Sequence, residues 1–313
     1  MDRPIVTLTV NPALDLSASV EVLRPFSKLR CSGERRDAGG GGINVARVAA
    51  RFGAKPLAVF PAGGPIGSYL AELVATEGIA SAMVPIAGNT REDVTVNETE
   101  SGRQYRFVLS GPKMSLEEEE RLLTVFGARL VPDALAVASG SLPPGMADDF
   151  YARVAQIANA KGARLALDSS GPPLANALAA GVMLIKPNLR ELQGLARTPL
   201  PDRASRLAAA RGLVQSGRVE LVALSLAEEG ALLVGRDIAL AASAPKIVPV
   251  STVGAGDSFL GALAAMLAKE SDLKTAFRMA VAAGSAALLA PGTELCAAAK
   301  AKELFEQVSI EEL

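Results

Sequence analysis

The sequence predicts an α/β fold: a doubly wound, mostly parallel sheet flanked by helices, with a small β-sheet lid. Short apolar runs alternate with segments whose apolar residues recur at helical spacing, which is typical of a parallel sheet covered on both faces. Two polar, alternating stretches, residues 16–37 and 91–108, interrupt this pattern. We expect residues 1–313 to form one domain, with these two stretches inserted as the lid.

Six apolar runs are predicted as buried strands because each is short and continuously apolar. In chain order they are PIVTLTV, PLAVFPA, ALAVASG, ARLALDSS, VMLIKPN and ELVALSL. Five segments between them carry an apolar stripe at helical spacing: INVARVAARFG, SYLAELVATEG, EEEERLLTVFGARL, DDFYARVAQIANAKG and DRASRLAAARGLVQSG. Beyond residue 254 the sequence is rich in alanine and is predicted to be helical to its end, including AAAKAKELFEQVSIEEL.

The two polar stretches have the alternation of half-exposed strands, and Ser101–Gly102 suggests a hairpin turn. They form either a lid over one edge of the core or edge strands of the main sheet, and periodicity does not separate these alternatives. A lid would concentrate four cations in one element: Lys28, Arg30, Arg91 and Arg106. Guanidinium groups bind phosphate in a forked geometry, whereas isolated cations on an exposed strand are usually only solvated.

Composition excludes several classes of function. The 313 residues include 32 basic and 33 acidic side chains, so there is no electrostatic case for a nucleic acid or an anionic membrane as partner. No histidine is present, which excludes imidazole bases and histidine metal ligands. Cys31 and Cys296 lack metal-ligand spacing, and the first residues lack the features of a signal peptide. We expect a cytoplasmic protein that acts on a small molecule.

The glycine cluster AGGGGINVARVAARFG, residues 38–53, is the first candidate binding loop. It fails as a dinucleotide fingerprint because a polar segment precedes it, Asn44 takes the sixth position and no acid follows at the required distance. The cluster is either a turn that lets a polyol approach the backbone or simply a loop opening a helix. Asp15, expected just past the first strand, could accept hydrogen bonds from sugar hydroxyls or form a turn.

Two further strand ends carry polar residues at the carboxyl edge, where α/β proteins bind ligands. In LIKPNLRELQGL, Lys186 follows a strand, and Asn188 and Glu191 are three residues apart. Those two could hold hydrated Mg²⁺, but spacing alone favours an asparagine cap with a first-turn glutamate. Ser225 ends the next strand at the same edge.

The stretch STVGAGDSFLGAL, residues 251–263, combines a glycine turn with a carboxylate at a predicted helix start. Backbone N–H groups of Gly254–Gly256 would stabilise charge on a transferring phosphoryl group. Asp257 could accept the proton of an attacking hydroxyl, a role that falls to a carboxylate in a chain without histidine. The alternative is an ordinary helix N-cap, which does not explain two flanking glycines.

Taken together and in order, six motifs resemble the PfkB group of ribokinase-like sugar kinases: TLTVNPALD, AGGGGINVAR, SGSLPPG, LDSSG, IKPN with Glu191, and STVGAGDSFLGAL. The resemblance covers essentially the whole chain. Several details are more similar to the minor bacterial 6-phosphofructokinase branch than to 1-phosphofructokinases: KLRC, the four glycines, FPAGG, QYRFV and DSSG. The resemblance therefore implies ATP-dependent phosphorylation of fructose 6-phosphate at its 1-hydroxyl, with dimerisation through the lids.

The resemblance also implies a role for each matching residue. The base would be Asp257, and the anion hole would comprise Gly254, Ala255 and Gly256. The sugar would contact Asp15, Gly40, Gly41, Asn44 and Ser141, and its phosphate Lys28, Arg91 and Arg106. ATP would contact Lys186, Asn188, Ser225, Gly230, Thr252 and Gly254, while Glu191 would position Mg²⁺ through water. A monovalent cation such as K⁺ would bind backbone groups near Ser251, Val253 and Gly292.

Two departures from the family pattern bear on these roles. The nucleotide loop reads SLAEEG, with Ala227 where the family has glycine and with Glu228 and Glu229 near the expected phosphates. Glu294 stands near the cation site, where a basic or neutral residue is expected. Two alternatives also stay open, namely the same chemistry on tagatose 6-phosphate or fructose 1-phosphate, and a non-catalytic sugar-phosphate sensor.

Overall fold

The computed structural model describes residues 2–313. The strands in this range are β1 (Ile5–Leu8), β2 (Ala13–Val20), β3 (Ser32–Gly39), β4 (Pro56–Ala62), β5 (Ala80–Pro85), β6 (Arg91–Glu98), β7 (Gln104–Phe107), β8 (Leu135–Ser139), β9 (Arg164–Asp168), β10 (Val182–Ile185), β11 (Val219–Ser225), β12 (Ala231–Val234), β13 (Ala239–Ala242) and β14 (Ile310–Glu312). The helices are α1 (Gly41–Arg51), α2 (Gly64–Thr76), α3 (Leu116–Arg129), α4 (Phe150–Ala160), α5 (Gly171–Ala180), α6 (Leu189–Ala196), α7 (Arg203–Gln215), α8 (Ala255–Ala268), α9 (Leu273–Ala287) and α10 (Ala298–Phe305).

The main sheet has ten strands in the order β14-β13-β12-β11-β10-β9-β8-β1-β4-β5. Pairing is parallel from β11 across to β5 and antiparallel through β12, β13 and β14. All six runs predicted as strands lie in the parallel part, which confirms the predicted mostly parallel sheet. The carboxyl ends of these strands meet at one edge, where loops bring the candidate side chains together.

Helices cover both faces of the main sheet, and the strands supply apolar residues to each side. In β1, Val6 and Leu8 pack in the core formed with α3, α4 and α7, whereas Ile5 packs in the core with α1, α8 and α9. A continuously apolar strand is therefore required, since both of its faces are buried. None of the helices in residues 2–313 is long and apolar enough to span a membrane.

A separate sheet of four strands, called the small sheet below, has the order β3-β2-β6-β7. It contains the two polar stretches, so they are not edge strands of the main sheet, and β6 and β7 form the expected hairpin. Its strands extend beyond the predicted segments, because β2 begins at Ala13 and β3 ends at Gly39. Asp15 follows the first strand, as expected, but lies inside β2, so the alternative that it forms a turn was wrong.

The C-terminal residues also differ from expectation. The helical pattern ends with α10 at Phe305, and Ile310–Glu312 forms strand β14 instead of continuing the helix. Its backbone pairs antiparallel with β13, with Leu240 opposite Glu312. Edge strands offer a row of unpaired backbone groups, so a short terminal segment gains hydrogen bonds there that a frayed helix end would lack.

Candidate active site

The glycine turn and the start of α8 place Asp257 at the carboxyl edge of the main sheet. Gly254 is the N-cap of α8 and has a φ of 74°, a left-handed conformation that favours glycine. Asp257 therefore lies in the first helical turn and is not the cap, so the N-cap alternative was wrong. Its Oδ2 accepts a hydrogen bond from Asn44 Nδ2 at 2.9 Å. A β-carbon on Gly256 would lie 3.2 Å from Lys186 Nζ, so the turn approaches that cation closely.

Burial raises the pKa of Asp257 to about 6, with a further increase from Asp168 and opposing contributions from Asn44, Lys186 and Arg106. A carboxyl group with this pKa is largely ionised near neutral pH and is still basic enough to take up a proton. The arrangement thus suits a general base held in place by an amide.

The glycine cluster brings α1 against the end of β8. Gly40, the N-cap of α1, has a φ of 107°. A β-carbon on Gly41 would lie 2.2 Å from Ser139 Oγ and 2.9 Å from the Ser139 carbonyl carbon, a clash that includes backbone. Glycine is required here by packing, and Asn44, in the first turn of the same helix, donates to Asp257.

A cleft of about 250 Å³ opens between these loops. It is lined by Gly41, Ser139, Gly140, Ser141, Asp168, Ser169, Ser170, Glu191 and Asp257. Asp168 and its neighbours Ser169 and Ser170 were not among the predicted site residues. The signal was present, because Asp168 ends a buried strand at the same edge as Lys186 and Ser225.

Lys186 and Asp168 form an ion pair beside the glycine turn, with Nζ 3.2 Å from Oδ2. Burial by itself would lower the pKa of Lys186, but the Asp168 carboxylate and, more weakly, Asp257 and Glu191 raise it above its usual value. The ammonium group therefore stays charged although the side chain is only 7% exposed. A fixed positive charge next to Gly256 suits an anionic ligand.

Asn188 and Glu191 form a complete capping box at the start of α6, as the spacing predicts. Asn188 also pairs with Ser225 through an isolated β-bridge, which brings two of the expected nucleotide contacts together. Burial raises the pKa of Glu191. Within residues 2–313, no three cysteine or acidic side chains converge to ligate a metal directly.

The expected nucleotide loop, between β11 and β12, has a left-handed backbone conformation at Ala227, where the family has glycine. Ala227 has a φ of 52°, in the region that favours glycine. Glu229 forms an ion pair with the mostly buried Arg206 at 2.6 Å, so its charge is compensated, whereas Glu228 is exposed. Gly230 is buried and closes the turn by donating its N–H to the Ala227 carbonyl.

One face of the small sheet carries a row of buried charges. Asp37, Asp15 and Asp93 lie in register on β3, β2 and β6. Burial raises the pKa of Asp15 to about 7, the next contributions being a decrease from Arg106 and an increase from Asp93. The positive charge of Arg106 lowers the pKa of both Asp15 and Asp257.

The remaining phosphate, nucleotide and cation candidates lie in loops. Lys28 is exposed on the long loop between β2 and β3, and Thr252 is also exposed. Ser251 donates to the Gly292 carbonyl at 2.8 Å, and the Val253 N–H donates to Ser251 Oγ at 3.2 Å. Ser251, Val253 and Gly292 are therefore brought together.

The small sheet contacts the same loops through polar side chains. Gln104 donates to Ser251 at 3.3 Å, and Thr293 donates to Asp37 at 2.9 Å. Glu294 forms an ion pair with Arg35 of β3. The carboxylate of Glu294 is thus partnered by a guanidinium group.

Comparison with known proteins agrees with this geometry. A family model described as pfkB family carbohydrate kinase matches residues 9–300. The ATP-dependent 6-phosphofructokinase isozyme 2 of Mycobacterium tuberculosis is 44% identical over 302 residues, 96% of this chain and 89% of that protein. A 1-phosphofructokinase of Xanthomonas campestris is 35% identical, over 90% of each chain. The crystal structure of phosphofructokinase-2 from Escherichia coli in complex with potassium superposes with a TM-score of 0.93 at 39% identity, covering 98% of this chain and 99% of that one. The chain belongs to the pfkB family of carbohydrate kinases.

Proposed function

We propose that this protein transfers the γ-phosphoryl group of ATP to the 1-hydroxyl of fructose 6-phosphate and so makes fructose 1,6-bisphosphate. The observation that carries the proposal is the pair Arg91 and Arg106 on the small sheet, which both contact Asp93 and both lower the pKa of Asp15. Two guanidinium groups there suit a sugar that already bears a phosphate. The similarity to 6-phosphofructokinase isozyme 2 exceeds that to the 1-phosphofructokinase.

In this proposal Asp257 is the general base. Its carboxylate takes the proton of the sugar hydroxyl as that oxygen attacks the γ-phosphorus in line. Backbone N–H groups of Gly254, Ala255 and Gly256 and the positive end of α8 stabilise charge on the transferred group. Asn44 holds the carboxylate by a hydrogen bond of 2.9 Å, which limits its rotation.

The sugar lies between the glycine cluster and the small sheet. Asp15 accepts hydrogen bonds from its hydroxyl groups and Asn44 donates to them, while Gly40 and Gly41 let the sugar approach the backbone closely. Ser141, which lines the cleft, completes this set. The sugar phosphate binds Arg91 and Arg106, and Lys28 adds a third cation from its exposed loop. The small sheet then acts as the lid of the site.

ATP lies along the carboxyl edge on the other side of Asp257. Lys186 supplies a charge that Asp168 keeps fixed, and Asn188, Ser225, Gly230, Thr252 and Gly254 provide the remaining contacts. Glu191 fits a role in holding Mg²⁺ through water, because its carboxylate and that of Asp168 line the cleft without forming a direct metal cage. When bound, Mg²⁺ supplies neutralisation of the phosphate charge.

Ser251, Val253 and Gly292 are proposed to bind K⁺ through backbone oxygens near the start of α8. Their grouping supports this, as does the potassium in the Escherichia coli complex. The cytoplasmic location and the homodimer formed through the lids stay predictions.

A kinase assay with three acceptors tests the proposed function. We expect kcat/KM to be highest for fructose 6-phosphate, compared with tagatose 6-phosphate and fructose 1-phosphate, because the two arginines lie on strands of the small sheet, whereas the base lies at the start of α8. A preference for fructose 1-phosphate or tagatose 6-phosphate would contradict the substrate assignment. No turnover of any acceptor above that of Asp257→Asn would indicate a sensor in place of an enzyme.

A further inference from the structure

Asp93 is a buried carboxylate on β6 that touches both arginines of the small sheet. Its side chain is 3% exposed. Oδ1 accepts hydrogen bonds from Arg91 Nη1 at 3.1 Å and from the Leu109 backbone N–H at 3.0 Å. Oδ2 lies 3.9 Å from Arg106 Nη2. A single side chain thereby links the arginine pair to the segment that follows β7.

Arg91 is held by more than this one contact. Its Nη1 also donates to the Leu109 carbonyl at 2.6 Å, and its Nη2 donates to the Asn11 carbonyl at 3.1 Å. Leu109 thus donates to Asp93 and accepts from Arg91, which closes a ring of three hydrogen bonds. The plane of the guanidinium is fixed before a ligand arrives, and such preorganisation reduces the entropy lost on binding.

The charge of Asp93 by itself opposes anion binding. The carboxylate would repel a phosphate bound to Arg91, and it lies in register with Asp15, whose pKa it raises. Any favourable contribution of Asp93 to phosphate binding must therefore come from the hydrogen bonds that it accepts in a fixed geometry. We infer that Asp93 is a positioning residue that orients Arg91 and the Leu109 segment to bind the phosphate of the substrate. This inference rests on the proposed function.

Two substitutions separate geometry from charge. Asp93→Asn keeps an acceptor oxygen for Arg91 and Leu109 but removes the charge, whereas Asp93→Ala removes both. We expect Asp93→Ala to raise KM for fructose 6-phosphate about tenfold, with kcat and KM for ATP within about twofold of wild type, since a charge-assisted hydrogen bond is lost. Asp93→Asn should have a KM at or below that of wild type. Glu100→Ala, at the exposed β6–β7 turn, is the matched control for loss of an acidic charge.

Two further measurements distinguish positioning from damage to the fold. Fructose lacks the phosphate, so its kcat/KM should not change in Asp93→Ala. In an Arg91→Ala background, Asp93→Ala should add less than about a twofold effect, because the residue through which Asp93 acts is already gone.

The inference is overturned if Asp93→Ala leaves KM for fructose 6-phosphate unchanged, if it impairs fructose and fructose 6-phosphate equally, or if Asp93→Asn is as impaired as Asp93→Ala. Additive effects of Arg91→Ala and Asp93→Ala would also overturn it. Failure of the wild-type protein to phosphorylate fructose 6-phosphate is a separate result, which refutes the proposed function before any variant is compared.

Discussion

Replacing Asp257 with asparagine removes the proposed base and keeps its shape. Asn44 Nδ2 donates to Asp257 Oδ2 at 2.9 Å, and an asparagine can present its carbonyl oxygen at the same position. The glycine turn and the Lys186–Asp168 ion pair are left in place. Binding of fructose 6-phosphate and ATP should therefore stay within about threefold of wild type while proton transfer is lost.

The expected loss in kcat is at least about 10²-fold, the usual contribution of a positioned general base. The pH dependence gives a second, independent signature. Because the pKa of Asp257 is raised to about 6, mainly by burial, the carboxylate is available above that pH and is lost as the pH falls through it. Wild-type kcat should fall about tenfold per pH unit below about 6, and the residual activity of Asp257→Asn should lack this limb.

The assay follows formation of fructose 1,6-bisphosphate at saturating ATP and fructose 6-phosphate over a range of pH. Affinities for both substrates are measured in parallel by equilibrium titration. Asp237→Asn, at an exposed position in the β12–β13 turn, is the matched control and should behave as wild type. A kcat for Asp257→Asn within threefold of wild type, or an acidic limb that persists in this variant, would refute the assignment of the base.

Three other substitutions test the environment of the site. The pKa of Asp15 is raised to about 7 from an unfolded value near 3.8, so the folded chain binds an extra proton between these values and stability falls as the pH rises through that window. Asp15→Asn should therefore raise Tm by a few degrees at about pH 8 and have little effect on Tm at about pH 4. It should also lower kcat/KM for fructose 6-phosphate. Calorimetry that shows an equal Tm shift at both pH values would contradict this prediction. In steady-state kinetics, Lys186→Met should raise KM for ATP at least about tenfold and leave KM for the sugar nearly unchanged. Parallel increases in both KM values would argue against a role of Lys186 in nucleotide binding. Gly41→Ala places a β-carbon 2.2 Å from Ser139 Oγ and should lower kcat/KM more than tenfold, whereas Gly194→Ala, with open space inside α6, should leave activity unchanged.

Local pattern predicted the framework of this protein. Hydrophobic patterning is a property of neighbouring residues, so the six runs predicted as buried strands all lie in the main sheet. The two polar stretches were predicted as strands, but only the structure decided that they form a sheet of their own. The capping box of Asn188 and Glu191 also depends on a spacing of three residues and was predicted correctly. The partners of a strand, in contrast, are distant in sequence. This is why Asp15 was not recognised as part of a strand and why Ile310–Glu312 was expected to be helical.

For the site, the sequence by itself determined which chemistry was available. The absence of histidine and the turn at 254–256 made Asp257 the candidate base before any geometry was known. Only the tertiary structure decided what surrounds that carboxylate. The hydrogen bond from Asn44 and the carboxylate of Asp168 come from elements far away in the chain, and burial sets the pKa of Asp257. Residue type fixes which protons and charges a side chain can carry, whereas their energies depend on neighbours that only folding brings together.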